Sequence, residues 1–245
     1  MASKLYPDAQ LEALRGFPAQ IAADDLARYF TLLPADTSFI NAHRGDGNRI
    51  GVAVALCTLA WLGFVPDDLR AAPAAAVSRV AAALGVPKTA LARYAARSQT
   101  RTEHLREVAA FLGWRTTTEV DAKELDQFLL ARAMEHDAPS VLFELACEHL
   151  RGAQLIRPGP VWLVQRVAAA REAAKAQTFV RLEHLLTPQL IADLDGLLNI
   201  DDELGSTRLS WLGNGATQPS PGAIKTEIAK LAYLRRIGAD ELDLS

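Results

Sequence analysis

The sequence predicts an all-α protein built as multi-helix bundles, and three observations carry that expectation. Half of the 245 residues are hydrophobic, with Ala and Leu dominating that half and aromatics at only 7%. Ala and Leu lose little side-chain freedom in a helix. Apolar positions recur at i, i+3 and i+4 along the chain, and no segment alternates convincingly as a half-buried strand does. Helix punctuation, in the form of Ser/Thr caps, Pro starts and Gly stops, falls between these periodic stretches.

Taken in order, Asp8–Leu14 and Ala22–Thr31 carry helical spacing, and Pro34 opens a short helix toward Ile40. The stretch Asn41-Ala-His-Arg-Gly-Asp-Gly-Asn48 breaks the pattern with two glycines. A helix over Arg49–Leu62 follows, closed by Gly63; its Ile50, Val52, Val54, Leu56, Leu59 and Trp61 leave little polar face, which marks a central core helix. Pro66 and Pro73 punctuate a linker to a helix at Ala74–Leu84, and Gly85-Val86-Pro87 turns sharply into a second helix, Lys88–Ala96. Thr100-x-x-Glu103 has the form of a capping box for a helix reaching Leu112. Thr116–Thr118 cap a helix over Glu119–His136, and Pro139-Ser140 starts another through Leu150.

The segment Gly152–Pro160, with its Pro158-Gly159-Pro160, is the clearest boundary, and divides a module at 1–151 from one at 152–245. Helices are expected beyond it at Val161–Lys175, Phe179–Leu186, Pro188–Leu198, Thr207–Leu212 and Ala223–Ile237, with Gly213–Gly222 an exposed loop. The length suffices to bury a real core in each module.

Several classes fall away on composition. No run of about 18 uncharged apolar residues occurs, so no membrane span is expected. Met1–Asp8 has no apolar core or cleavage pattern, so no signal peptide is expected. Cys57 and Cys147 each sit in an apolar helical pattern and read as reduced core thiols of a cytoplasmic protein. The formal charge is −3, which argues mildly against a nucleic-acid partner, but distribution decides more than the sum. Between Lys88 and Arg106 the basic residues Lys88, Arg93, Arg97, Arg101 and Arg106 face one acid, Glu103, for a local charge of +4.

Inside this basic island, Val77–Tyr94 reads V-S-R-V-A-A-A-L-G-V-P-K-T-A-L-A-R-Y and has the form of a helix-turn-helix, placed at 77–97. Ala81 or Ala82 offers a small residue where two helices cross, Gly85 takes the left-handed turn, Val86 plugs the space between helices, and Pro87 starts the second helix. Leu91 faces the core, which leaves Lys88, Thr89, Ala92 and Arg93 outward. In such motifs these positions meet base edges in the major groove, and Arg pairs with guanine. Arg97-Ser-Gln-Thr-Arg-Thr-Glu-His104 adds groups suited to phosphate. The same residues also fit a plain αα-corner with a solvated basic face. His43-Arg-Gly-Asp-Gly-Asn-Arg49 reads either as a phosphate-binding turn at a helix N-terminus, with Arg44 and Arg49 as charge partners, or as an ordinary turn capped by Asp46.

With these residues in view, the run from His43 to Trp114 resembles the N-terminal region of Tn-three-family replicative transposases. The elements that carry the likeness are H-R-G-D-G-N-R, A-L-C-T-L-A-W-L-G-F-V-P-D-D-L, L-G-V-P, L-A-R-Y and Q-T-R-T-E-H-L-R-E-V. It continues through Arg157-Pro-Gly, Leu186-Thr-Pro and Arg208-Leu-Ser-Trp-Leu212 to Leu234. The resemblance implies a helical region that binds the transposon's terminal inverted repeats, with the chemistry in a later RNase H-like domain. It implies Arg44, Asn48, Arg49, Lys88, Arg93, Gln99, Arg101 and His104 as candidate DNA contacts, and the reading of the turn and of the segment after it adds Thr89 and Arg97. It also implies a prokaryotic, nucleoid-associated setting, with double-stranded DNA as partner and the chain itself or a full-length transposase as dimer partner. Two departures accompany it: 245 residues fall well short of a whole transposase, so no catalytic domain is expected here, and the loop after Trp211 lacks positive charge. A fragment and a free-standing regulator or repressor both fit the length.

A second DNA reader is conceivable across the Pro-Gly-Pro boundary, where Gln165, Arg166 and Arg171 would form its polar face; a packing platform fits equally well. Enzymatic signatures are missing. The acids Asp193, Asp195, Asp201, Asp202 and Glu203 lack the calcium-loop pattern, and the five histidines lack zinc spacing. Neither a GxSxG nor a phosphate-binding GxxxxGK[ST] loop occurs. The expectation is therefore sequence-specific binding of duplex DNA without catalysis, metal or cofactor, with a helical protein-interaction module as the alternative.

Overall fold

The structure is a computed structural model that describes residues 7–94, 98–202, 204–215, 218 and 220–239. As the Ala- and Leu-rich composition dictates, the described chain is helical almost throughout. It divides into two compact units, residues 1–174 and 175–245.

The first unit is built around α4 (Asp46–Leu62), in which every residue from Ile50 to Leu59 is buried. A helix apolar on all sides must be surrounded. The elements that surround it are α2 (Ala23–Tyr29), α3 (Pro34–Asn41), α5 (Ala74–Leu84), α6 (Ser98–Leu112) and two 3-10 turns, Leu69–Ala71 and Lys88–Arg93. Phe30, fully buried, meets Trp61 edge-on at 5.6 Å, and the Trp61 indole donates to Asp25 at 3.2 Å. A second core in the same unit joins Leu11 of α1 (Asp8–Ala13) to α7 (Glu119–Ala133), α8 (Pro139–Gly152) and the first part of α9 (Pro160–Leu185).

The two cores are stitched together by the chain before α7 and after α8. Strands β1 (Arg115–Thr116) and β2 (Leu155–Ile156) pair in parallel with Arg115 opposite Leu155. Arg157 donates its amide to the Gly63 carbonyl at 2.7 Å, and Arg151 donates to the Trp61 carbonyl at 3.0 Å. At the start of α7, Thr118 and Asp121 form a reciprocal cap, and Arg115 grips both Asp121 oxygens at 2.6 Å. Arg115 and the Thr118 donors hold the Asp121 carboxyl well below the usual carboxylate range.

In residues 175–245, α10 (Pro188–Gly196) is followed by an antiparallel pair, β3 (Ile200–Asp201) with β4 (Ser206–Thr207), then α11 (Arg208–Gly213) and α12 (Pro221–Arg236). Arg208 pairs with Asp201 at 2.5 Å, Trp211 meets Tyr233 edge-on, and the buried Lys230 ammonium donates to the Asn214 carbonyl and to Glu227.

Three sequence expectations are corrected. The helix expected from Arg49 begins at Asp46, with Gly45 at its cap and φ 83°, so Asp46 lies inside it. Thr100 also lies inside a helix, because α6 starts at Ser98; Thr100-x-x-Glu103 is not its cap. The helices expected at Val161–Lys175 and Phe179–Leu186 are one, α9, since nothing between Lys175 and Phe179 breaks a helix. The compact units divide after Ala174, and Gly152–Pro160 carries the strand and hydrogen bonds that join the two cores of the first unit. Cys57 and Cys147 are both free; burial pushes the Cys57 thiol up to about 12, so it is inert at neutral pH.

Candidate nucleic-acid interface

The turn that was read as a recognition helix is formed differently. The α5 helix ends at Leu84 and Gly85 takes φ 63°, as the Gly-Val-Pro pattern requires. After Pro87 the chain makes a 3-10 turn, Lys88–Arg93, with Ala90 N–H donating to the Pro87 carbonyl at 2.9 Å and Tyr94 N–H to Leu91 at 3.0 Å. Tyr94 is extended, and Ala95, Ala96 and Arg97 lie outside the described residues. The second limb is thus six residues of 3-10 turn, not an α-helix to Ala96.

Its geometry follows from what lies beneath it. In a 3-10 turn, residues i and i+3 superpose. Ala90 and Arg93 therefore sit together over Gly47 of α4, where an added Cβ would stand only 3.2 Å from the Ala90 carbonyl oxygen and from Arg93 Cβ. One turn along α4, a Cβ on Gly51 would overlap the Tyr94 ring outright. The two glycines, four apart on one helix face, let the turn lie on bare backbone. Leu91 and Ala90 are buried, while Lys88, Thr89, Ala92 and Arg93 face solvent.

Arg44, Asn48, Thr89 and Arg93 line one open cleft of about 340 Å³, together with the first turn of α4. No side chain caps that turn, because its cap is Gly45. Asn48 donates to the Arg44 carbonyl at 3.0 Å, which closes the loop. Lys88 lies on the other flank of the turn, above a groove floored by Ala72, Ala74, Val77 and Leu91. Arg44, Lys88, Arg93 and Arg106 make no side-chain hydrogen bond or ion pair among the described residues.

The other candidates are placed elsewhere. Arg49 donates to Asn41 at 2.6 Å and to the Leu84 carbonyl at 3.4 Å, and pairs with Asp46; it ties α3 and α5 to α4. Arg101 donates to the Pro66 carbonyl at 3.1 Å and pairs with Asp67 at 3.4 Å. His104 is buried, with its ring stacked on Tyr94 at 5.8 Å and edge-on to His43 at 4.9 Å. Unlike the exposed residues of the Lys88–Arg93 turn, it faces the core. Arg97 and the side chain of Gln99 lie outside the described residues. In the segment that would form a second reader, Arg166 pairs with Asp126 and stacks on Trp162 at 3.9 Å, and Arg171 pairs with Asp137 at 2.8 Å.

Sequence reasoning missed three participants, Gly51, Tyr94 and Glu107, which receives the His43 imidazole at 2.9 Å. The Gly47/Gly51 spacing inside an otherwise apolar helix was the available signal for a close approach.

The buried imidazole gives the unit a pH dependence. Burial first, and then neighbouring His43, hold the His104 pKa below its ordinary 6.5, outweighing Glu107 and Glu103. The unfolded chain then takes up a proton that the folded chain resists, so stability is full above 6.5 and is lost as pH falls toward the folded value. The melting temperature is expected to fall between about pH 7 and about pH 5.5, and His104→Phe to flatten that slope. Thermal melts that show the same slope in the variant would assign the titration to another group.

Comparison with known proteins fits this arrangement into a family. Residues 5–170 match the family described as "Domain of unknown function (DUF4158)". The chain is 26% identical over 230 residues to the transposase for transposon Tn1546 of Enterococcus faecium, a stretch covering 92% of this chain and 23% of that protein. It is 31% identical over 225 residues to the transposase for transposon Tn21 of Escherichia coli, covering 91% of this chain and 22% of the relative. The transposase for transposon gamma-delta of Escherichia coli (strain K12) is 29% identical over 223 residues, again at 90% and 22%. This chain thus spans about a fifth of the length of the relatives it matches. With more than half of its length inside the family match, the chain belongs to the DUF4158 family and is homologous to Tn-three-family transposases.

Proposed function

We propose that this chain binds duplex DNA at the terminal inverted repeats of a transposon, through the Lys88–Arg93 turn and the Arg44 loop, and so serves transposition. One observation carries the reading. Most arginines of the first unit are held by internal acceptors, yet Arg44, Lys88 and Arg93 flank one exposed turn without any such partner. Cations left without an internal partner are relieved by an anionic one, and DNA supplies phosphates at close spacing. The uncapped first turn of α4 adds the positive end of a helix dipole beside Arg44. Thr89 and Arg93, at the crest, are the side chains that would reach base edges, while Arg44 and Lys88 hold the backbone on either side. The bond-breaking steps of transposition are assigned to parts of the relatives that this chain does not span.

A mobility-shift titration tests the proposal, with terminal-repeat duplex as probe and scrambled duplex as competitor. Preferential retention of the repeat is expected. Equal weak binding to both duplexes would remove the specificity, and no binding at low salt would remove DNA as the ligand.

A second reading, a helical module that holds a protein partner, is favoured by one feature of residues 175–245. Ile224, Ile228 and Leu231 recur at helical spacing along α12, and each is more than half exposed. Ile228→Lys that binds DNA as the parent does but loses association with a second copy in light scattering would support it; a parent that stays monomeric at all concentrations would count against self-association.

A further inference from the structure

We propose that Tyr94 is the positioning residue of this interface: seated between the bare backbone of Gly51 and the His104 ring, it sets where the Lys88–Arg93 turn stands over the start of α4. The inference rests on the DNA-binding reading above for its functional consequence, though not for its geometry.

The turn has few means of holding its place. It is only six residues long, its cap Pro87 supplies no side-chain hydrogen bond, and it leads into a chain that turns extended at Tyr94. A lone 3-10 turn is a weak element. Among the described residues its exposed side chains make no ion pair, so side-chain packing must fix it. Ala90 and Leu91 provide part of that packing, but Ala90 is small and Leu91 faces the core beside Leu69 rather than α4 alone.

Tyr94 is different in kind. Its ring occupies the space that any side chain at position 51 would fill. On the ring's other contact, His104 stacks at an interplanar angle of 21°. The flat ring is therefore held between α4 and α6, directly after the turn that carries Lys88, Thr89 and Arg93. The hydroxyl contributes nothing to this clamp: it is buried with no hydrogen-bond partner among the described residues, and burial pushes its pKa up to about 12. The ring, not the phenol, does the positioning. This explains why position 51, deep in the apolar stretch of α4, is glycine, where glycine costs helix stability relative to Ala.

The test combines three variants with two readouts. Affinity for terminal-repeat duplex is measured at a temperature where circular dichroism shows each variant folded, and amide hydrogen exchange of residues 88–93 is measured without DNA. Tyr94→Phe is expected to match the parent in both. Tyr94→Ala is expected to weaken binding about tenfold or more and to accelerate exchange across the turn. Gly51→Ala displaces the ring and is expected to do the same, while Gly51→Ala combined with Tyr94→Ala costs little beyond Tyr94→Ala alone. Tyr94→Ala that folds with parental exchange in the turn overturns the positioning role, as does Tyr94→Phe that is as damaging as Tyr94→Ala. Should Tyr94→Ala not fold, Tyr94→Leu, which keeps bulk without a flat ring, is expected to give the same accelerated exchange, and parental exchange there overturns the proposal. Faster exchange with no DNA binding even by the parent would leave Tyr94 as the clamp and remove the DNA reading instead.

Discussion

Arg44→Glu combined with Arg93→Glu is expected to lower affinity for terminal-repeat DNA by roughly 100-fold or more at moderate salt, and to leave the fold intact. The size follows from what each substitution does. One contact to phosphate, from Arg44, and one to a base edge, from Arg93, are lost, and two anions are placed in the same cleft, within reach of the DNA backbone. Loss of the Arg44 phosphate contact should also flatten the dependence of log affinity on log salt by about 1. Stability should change little, because neither guanidinium holds another part of the chain and the Arg93 Cβ that rests on Gly47 is kept by Glu. Arg101→Ala makes the opposite pattern: it removes the tie to Pro66 and Asp67, so melting temperature drops while the salt dependence stays parental. If the double reversal binds as the parent does, the cleft is not the DNA-facing surface.

The largest effect on stability is expected from Phe30→Ala. Phe30 is fully buried, and it secures the end of α2 against Trp61 on α4. Truncating a buried Phe to Ala costs about 3–5 kcal/mol in lost transfer energy and cavity formation. That is a large fraction of the roughly 5–15 kcal/mol by which a domain is stable. Amide exchange of the α4 core, which opens only with the unit, is expected to accelerate by roughly 100-fold or more, since each 1.4 kcal/mol is a factor of ten. Phe30→Leu, which keeps most of the volume, should cost less than about 1.5 kcal/mol. Equal exchange in parent and Phe30→Ala would show that the α2 end is not part of the cooperative unit.

Much of the helical framework was legible because its determinants are local. Ala74–Leu84 needed only its apolar period and Gly85, and Glu119 onward needed only Thr118, so both starts were readable from a few adjacent residues. The core character of α4 was readable from its lack of a polar face. Where determinants are distant, reading failed. Lys-Thr-Ala-Leu-Ala-Arg has good helix formers, and nothing in it announces a 3-10 turn; the seat on Gly47 and Gly51, some forty residues earlier, imposes that shape.

The candidate site shows the same division. That Lys88, Thr89 and Arg93 lie outward follows from Leu91 pointing in, a local matter. Whether an arginine is available depends on its partner, and the partners of Arg49 and Arg101 are the Leu84 and Pro66 carbonyls, thirty-five residues away in each case. A carbonyl leaves no mark on the sequence. His104 looked polar and therefore external, yet an imidazole between Tyr94 and His43 is a core ring.

The central claim is that DNA lies against the Lys88–Arg93 turn, and photo-cross-linking reads that contact most directly. A benzophenone side chain placed at Thr89, which is exposed and bonds nothing else among the described residues, would be irradiated with labelled terminal-repeat duplex; the same probe at Gln165, on α9, serves as comparison. The expected result is a covalent adduct from position 89, mapped within the repeat and competed by unlabelled repeat, with none from position 165. An adduct from position 165 and none from position 89, under conditions where the repeat is bound, would contradict it.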